Sequence, residues 1–325
     1  MSVRWGIMGT GVMAAVMHEA IRAEGGEVVA VASSEADRAR AFASEREIPR
    51  FHGEHHDLLD EDLDIVYVAT TNDRHHGDAL ACVRAGTAVL VEKPFALDQR
   101  QGSQIVEEAR AAGVFVMEGM WMRFQPAFRE LERRVADGVI GTPRLVTAEF
   151  GIAPGDDATA RWFSREQGGG ALFEAGIYPL VLAISVLGEP LALQAVGELT
   201  DTGVDAQLAV AMRQPLGLAA WSCSFLADSG VEATVAGPEG SIRLHAPFHH
   251  ASHLSVRRGE AVVESREVVG ADLGHRHQVR EVHRCLDDGL AESERMPTAL
   301  TLTVLRWMDE IRSQVGVTYP VYGAP

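Results

Sequence analysis

Three groups of residues in this chain have the types and spacing to do chemistry. Gly9-Thr10-Gly11-Val12-Met13-Ala14 forms a G-x-G-x-x-A string. Such a turn lets backbone N–H groups approach a phosphate, provided that it closes a strand and opens a helix. Lys93 ends the apolar run of Thr87–Phe95, "TAVLVEKPF", between Glu92 and Pro94. A fixed ammonium can hydrogen-bond a reacting oxygen, stabilise alkoxide character and lower the pKa of a neighbouring acid. An isolated lysine at a strand end would by default only snorkel to solvent. Glu174 and Tyr178 stand four apart, so on a helix they share a face as an acid and a phenol, although Pro179 must distort that helix.

The elements that must position these groups follow from hydrophobic periodicity. "RWGIMG", "EVVAVAS", "LDIVYVATT", "AVLVEK" and "VFVMEGM" read as strands, and helix-period segments alternate with them. That grammar predicts βαβ units, hence a doubly wound parallel sheet covered on both faces. From about Trp121 the pattern changes. "GGGALFEAGIYPLVLAISVLG" reads as a distorted buried helix, the β-like runs from "LALQAVGEL" to "SIRLHAP" predict a largely antiparallel sheet, and two helices follow. The reading is therefore two α/β domains, residues 1–120 and 121–325.

Bulk properties narrow the function. Of 325 residues, 46% are hydrophobic and 23% charged, ordinary proportions for a globular chain. A net charge of −17 argues against a nucleic-acid surface. No apolar run approaches the roughly 18 residues of a membrane span, and the N-terminus lacks a signal-peptide core, so a cytoplasmic location is expected. Three well-separated cysteines (Cys82, Cys223, Cys285) indicate neither a disulfide framework nor a cysteine metal site. Two histidine clusters, His52/His55/His56 and His249/His250/His253, read as loops without completing ligands, so no metal is expected.

The position of the G-x-G-x-x-A string between first strand and first helix supports dinucleotide binding through Gly9, Thr10, Gly11, Val12 and Met13. NAD sites usually carry Asp or Glu at the end of the second strand. Here Ser33 and Ser34 stand there, with Arg38 one helical turn on. Hydroxyls and a guanidinium suit a 2′-phosphate, so NADP is favoured and NAD remains possible. Ser34-x-x-Asp37 also resembles a capping box, which is compatible.

"GIMGTGVMA", "YVATTNDRHH", "VLVEKPFAL" and "GGGALFEAGIYPL" together resemble the glucose–fructose oxidoreductase/inositol dehydrogenase (Gfo/Idh/MocA) family. "VMEGMWMRFQPAF", "GTPRLVTAEFG" and "WMDEIRSQVGVTYP" are most similar to its dimeric dihydrodiol dehydrogenase and NADP-dependent D-xylose dehydrogenase branch. The resemblance covers essentially the whole chain. It implies an N-terminal Rossmann domain and a C-terminal α/β domain with a large open sheet that often joins subunits, here in a homodimer or homotetramer. It implies hydride transfer between nicotinamide and a hydroxyl or carbonyl carbon of a sugar, cyclic polyol or trans-dihydrodiol. Lys93, Tyr178 and Glu174 would be catalytic: Tyr178 as proton donor and acceptor with its pKa lowered by Lys93, and Glu174 as substrate orienter or proton relay. The family usually has Asp where Glu174 stands, and the extra methylene could alter substrate choice. Thr70, Thr71, Asn72 and His75 match a segment that lines the coenzyme, with Thr71 replacing the usual proline. Glu92 and Arg123 are grouped with the coenzyme contacts, and Trp121, Arg161 and Trp162 with the substrate, or else with interdomain packing. The alternatives are a non-catalytic NAD(P)-binding regulator or scaffold of the same fold, which Glu174 keeps open, and a methyltransferase, which the Glu92-Lys93-Pro94 pattern disfavours.

Overall fold

The computed structural model describes residues 2–155 and 160–320. Its first half alternates β1 (Arg4–Met8), α1 (Val12–Ala23), β2 (Glu27–Ala32), α2 (Ala36–Glu45), β3 (Arg50–His52), β4 (Ile65–Val68), α3 (His75–Arg84), β5 (Ala88–Glu92), α4 (Gln99–Ala112) and β6 (Val116–Gly119). The six strands form one parallel sheet in the order β3-β2-β1-β4-β5-β6. Trp5–Met8, Val28–Ala32, Ile65–Val68 and Ala88–Glu92 are buried throughout. Burial on both faces explains why these strands read as unbroken apolar runs. Helix α4 shows how locally the ends are specified: Asp98 accepts from Gln101 N at 2.7 Å, and Gly113 closes the helix in the left-handed region. Such a cap contributes roughly 1 kcal/mol.

The second half runs α5 (Pro126–Ala136), β7 (Leu145–Gly151), a π-helical turn (Leu172–Gly176), α6 (Ile177–Leu187), β8 (Ala192–Leu199), β9 (Asp205–Arg213), β10 (Leu218–Ser224), β11 (Ala233–Gly237), β12 (Gly240–Leu244), β13 (His253–Arg258) and β14 (Ala261–Glu267). Its eight-stranded sheet has the order β14-β13-β12-β11-β7-β10-β9-β8 and is antiparallel except where β7 meets β10. Helix α6 is apolar and buried on nearly every side because it packs on β7 and β10. Burying one of its Leu, Ile or Val side chains contributes roughly 1.5–3 kcal/mol. The opposite face of the sheet exposes Thr147, Ala209, Ala211 and Ala220 in the alternation expected of a strand covered on one side.

Helices α7 (Arg276–Asp287) and α8 (Thr298–Val315) complete the chain. The compact units are residues 1–121 with 273–305, and 122–272 with 306–325. Residues 273–305 thus pack with the first unit, a return that a single boundary near residue 120 does not contain. Its causes are specific. Glu24 at the end of α1 pairs with both Arg276 and Arg280 at 2.5 Å, and Trp5 Nε1 meets His283 Nε2 at 3.1 Å.

Three features of the trace differ from the periodicity. Strand β3 is three residues long and lies at the sheet edge, too short and too exposed to show a pattern. The hairpin β13–β14 is hidden because β14 exposes most of its residues at the other edge. His52 and His253 consequently lie in strands rather than loops.

Candidate active site

In the first unit the candidate residues gather at the carboxyl ends of β1, β2, β4 and β5. Gly9 follows β1 with φ 110°, and a Cβ there would sit 2.4 Å from Ala69 O, so only glycine fits. At the end of β2, Arg38 Nη2 donates to Ser33 Oγ at 3.3 Å and Ser34 Oγ at 3.2 Å, and Thr10 Oγ1 lies 3.4 Å from Ser33 Oγ. Ser34 does not cap α2. The cap position falls to Glu35, with no side-chain cap bond.

The Lys93 turn is held from several directions. Glu92 is buried, accepting from Tyr67 OH at 2.5 Å and from Lys93 N at 3.1 Å. The Lys93–Pro94 peptide is cis. His75 Nδ1 lies 2.7 Å from Pro94 O while Nε2 lies 3.2 Å from Thr70 O. This imidazole is buried between two loops, and burial lowers its pKa. Thr70 Oγ1 donates to Asp78 at 2.8 Å, Thr71 O accepts from Arg74 N, and Asn72 is buried. Trp121 stacks on His275 at 4.2 Å.

In the second unit, Glu174 lies in the π-helical turn and Tyr178 follows at the start of α6. The distortion expected around Pro179 takes this form, a wider turn just ahead of a residue that lacks an N–H. Buried Glu174 accepts from Arg161 Nη1 at 2.7 Å, and the Arg161 guanidinium lies 5.6 Å from the Trp162 ring. Trp162 meets Phe225 edge-on. The Tyr178 ring stacks on Phe150 at 5.4 Å and touches His249 at 4.9 Å. Arg123 is buried, donating to Glu132 at 2.7 Å and Ser185 at 2.8 Å, and burial is the main cause of its lowered pKa.

Sequence reasoning passed over three neighbours of these groups. Asp205 on β9 is fully buried and accepts from Leu172 N at 2.5 Å, at the entry to the segment that carries Glu174 and Tyr178. Its carboxyl is pushed up to about 6 by burial. Gly170, with φ 123°, is needed beside it, since a Cβ would fall 2.3 Å from Asp205 Oδ1. Glu118 on β6 is fully buried beneath the Lys93 turn. His249 lies against the Tyr178 ring, a contact that its place in a histidine cluster does not reveal. An acid inside an otherwise apolar strand, as in "VFVMEGM", was the signal available for Glu118. Among the described residues no group of three or more His, Cys, Asp or Glu is placed to hold a metal ion, and no helix is long and apolar enough to cross a membrane.

Residues 3–120 match the family model of the GFO/IDH/MocA oxidoreductases with an NAD-binding Rossmann fold, and residues 128–243 match the corresponding C-terminal domain. A trans-1,2-dihydrobenzene-1,2-diol dehydrogenase of Danio rerio is 35% identical over 98% of both chains. The Homo sapiens enzyme of the same name is 32% identical over 98% of this chain and 99% of its own. The chain belongs to the GFO/IDH/MocA oxidoreductase family. Among solved structures of similar fold is the aldose-aldose oxidoreductase of Caulobacter crescentus, crystallised with glycerol. It has a TM-score of 0.88 and 25% identity, covering 97% of this chain and 98% of its own. This member of the family is an NAD(P)-dependent dehydrogenase.

The family's coenzyme is a dinucleotide, and the turn after β1 leaves its backbone open to one. A Cβ added at Gly11 would meet nothing within 4 Å, so the backbone there is open to an approaching group. Helix α1 begins at this point with no side-chain cap and no acid in its first turn. Its leading N–H groups therefore suit a pyrophosphate. The residues present fit the coenzyme.

Proposed function

We propose that the chain is an NADP-preferring oxidoreductase acting on the hydroxyl or carbonyl carbon of a sugar, cyclic polyol or trans-dihydrodiol. The relatives named as dihydrodiol dehydrogenases and the structural neighbour named for aldoses support that substrate range. When bound, the nicotinamide supplies the acceptor or donor of a hydride. Gly9, Thr10, Gly11, Val12 and Met13 hold the pyrophosphate, with Thr70, Thr71 and Asn72 lining the coenzyme. His75 and Glu92 hold the loops in place. Lys93 hydrogen-bonds the reacting oxygen and stabilises its negative charge. Tyr178 carries the hydroxyl proton, Glu174 with Arg161 and Trp162 orients substrate, and Trp121 of the first unit is a further substrate contact. Arg123 supports α5. The observation that carries this reading is the Lys93 turn itself. A strand end that only displayed a surface lysine would have no use for buried partners on Lys93 N and Pro94 O.

The coenzyme preference rests on Arg38 joined to Ser33 and Ser34. A guanidinium with two hydroxyls offers several donors to a 2′-phosphate, and the carboxylate that usually accepts from a ribose 2′-OH is replaced by serine. Ser33→Asp should shift the NADPH/NADH affinity ratio toward NADH by at least about tenfold, through like-charge repulsion. Fluorescence titration with each coenzyme checks it, and an unchanged ratio would put the 2′-phosphate elsewhere.

Glu174 supports a second reading, a coenzyme-binding regulator without turnover, because its carboxylate is engaged by Arg161. NADPH binding with no reduction of NADP across pentoses, hexoses, inositols and dihydrodiols would favour that reading. The exposed sheet face, with its small residues Ala209, Ala211 and Ala220, suits a second copy of the chain in a homodimer or homotetramer. A monomeric mass by light scattering would rule that out.

A further inference from the structure

We propose that Glu118 is a positioning residue for Lys93, fixing the turn that presents the lysine and setting a buried negative charge beside it. The inference rests on the reading of Lys93 as the group that meets the reacting oxygen. Strand β6 lies next to β5, pairing Glu118 with Val91 and Gly119 with Glu92. From there Glu118 Oε1 accepts from Phe95 N at 3.2 Å, two residues beyond the lysine, and Oε2 accepts from Thr301 Oγ1 at 2.9 Å. Glu92 holds Lys93 N and His75 holds Pro94 O, so three successive residues are each anchored by a different buried side chain. Glu118 differs from the other two in reaching the turn from the neighbouring strand β6 and tying it to Thr301 of α8.

That charge is not the least costly way to hold a backbone N–H. A buried carboxylate is penalised unless something nearby needs it. Burial pushes the Glu118 carboxyl up to about 7, opposed by the bonds from Thr301 and Phe95. The Glu92 charge raises it further and the Lys93 charge draws it down. The charged groups facing it are therefore Glu92 and Lys93 from β5 and its exit. Helix α8 offers the neutral Thr301 hydroxyl, and α3 offers His75, which meets the same turn at Pro94 and whose pKa burial lowers. Above pH 7 the ionised Glu118 holds Lys93 as an ammonium in a fixed place. Below it the carboxyl is neutral and that constraint weakens.

Glu118→Gln tests this, since the amide keeps an acceptor for Phe95 N and a donor toward Thr301 while losing the charge. The pH dependence of folding comes first, on the protein without coenzyme. The folded carboxyl keeps its proton up to about pH 7, whereas the unfolded one releases it near 4.5. Stability of the unaltered protein is therefore eroded as pH rises through this window and not beyond it. The Gln variant should match its melting temperature near pH 5 and exceed it at pH 8. A melting difference that does not change with pH overturns the buried charge. For turnover, the variant should equal the unaltered protein near pH 5.5 and fall about tenfold below it at pH 8, with KM nearly unchanged. Coincident kcat–pH profiles would make Glu118 a structural clamp only and overturn the proposal. Thr301→Val provides a second variant. It removes a bond that favours the ionised form, so the inflection in kcat should move to higher pH, and an unmoved inflection contradicts the assignment. Lys93→Met run alongside separates the two levels. Full activity there would defeat the reading of Lys93 itself, while the melting data would still report on Glu118.

Discussion

Lys93→Met should lower turnover by at least about a hundredfold while leaving NADPH affinity nearly intact. Methionine has about the length of lysine and no charge, so it removes the hydrogen bond and the field at the reacting oxygen with little change in bulk. The backbone of the turn is held by Glu92, His75 and Glu118 through Lys93 N, Pro94 O and Phe95 N, none of which involves the lysine ammonium. The coenzyme cradle at Gly9–Met13 lies on a different turn. A hundredfold loss corresponds to about 2.7 kcal/mol of transition-state stabilisation, the scale of one preorganised donor on a developing oxyanion. Because that donor matters most when charge develops, the loss should fall on kcat more than on KM. Steady-state kinetics together with a fluorescence titration measure both parts. Unaltered turnover on any genuine substrate would remove Lys93 from the mechanism.

Tyr178→Phe should lower turnover by roughly 10²–10⁴, the usual contribution of a positioned acid or base. The substitution deletes one oxygen. The ring would keep its stacking on Phe150 and its contact with His249, so the melting temperature should move little. A large loss of activity with an unchanged melting curve assigns the effect to the hydroxyl. A small loss with a flattened alkaline limb would instead mean that solvent replaces the phenol. No change in either would move the proton chemistry to another group, and Glu174 would be the first candidate.

Much of the fold was legible because a parallel sheet covered on both faces writes itself as unbroken apolar strands between helical segments, as in Ile65–Val68 and Ala88–Val91. The antiparallel sheet was legible through alternation in β9 and β10. Its last hairpin was not, since β14 turns most of its residues to solvent and carries no burial pattern. The return of residues 273–305 to the first unit depends on pairings such as Glu24 with Arg276, which join positions far apart in the chain and leave no local trace. Among the candidate residues, the Gly-rich turn, the Ser33/Ser34/Arg38 group and Lys93 could be singled out because each sits where a strand ends. Glu118 and Asp205 could not be assigned partners from sequence. Their meaning lies in what they accept from, Phe95 N and Leu172 N, and backbone donors are anonymous in a sequence.

The most direct test of the account is a coenzyme-linked rate measurement on the unaltered protein, with NADP and a panel of pentoses, hexoses, inositols and aromatic trans-dihydrodiols. At least one of these classes should reduce NADP, and do so faster than it reduces NAD. Tight NADPH binding with no turnover across the whole panel, in either direction, would contradict it.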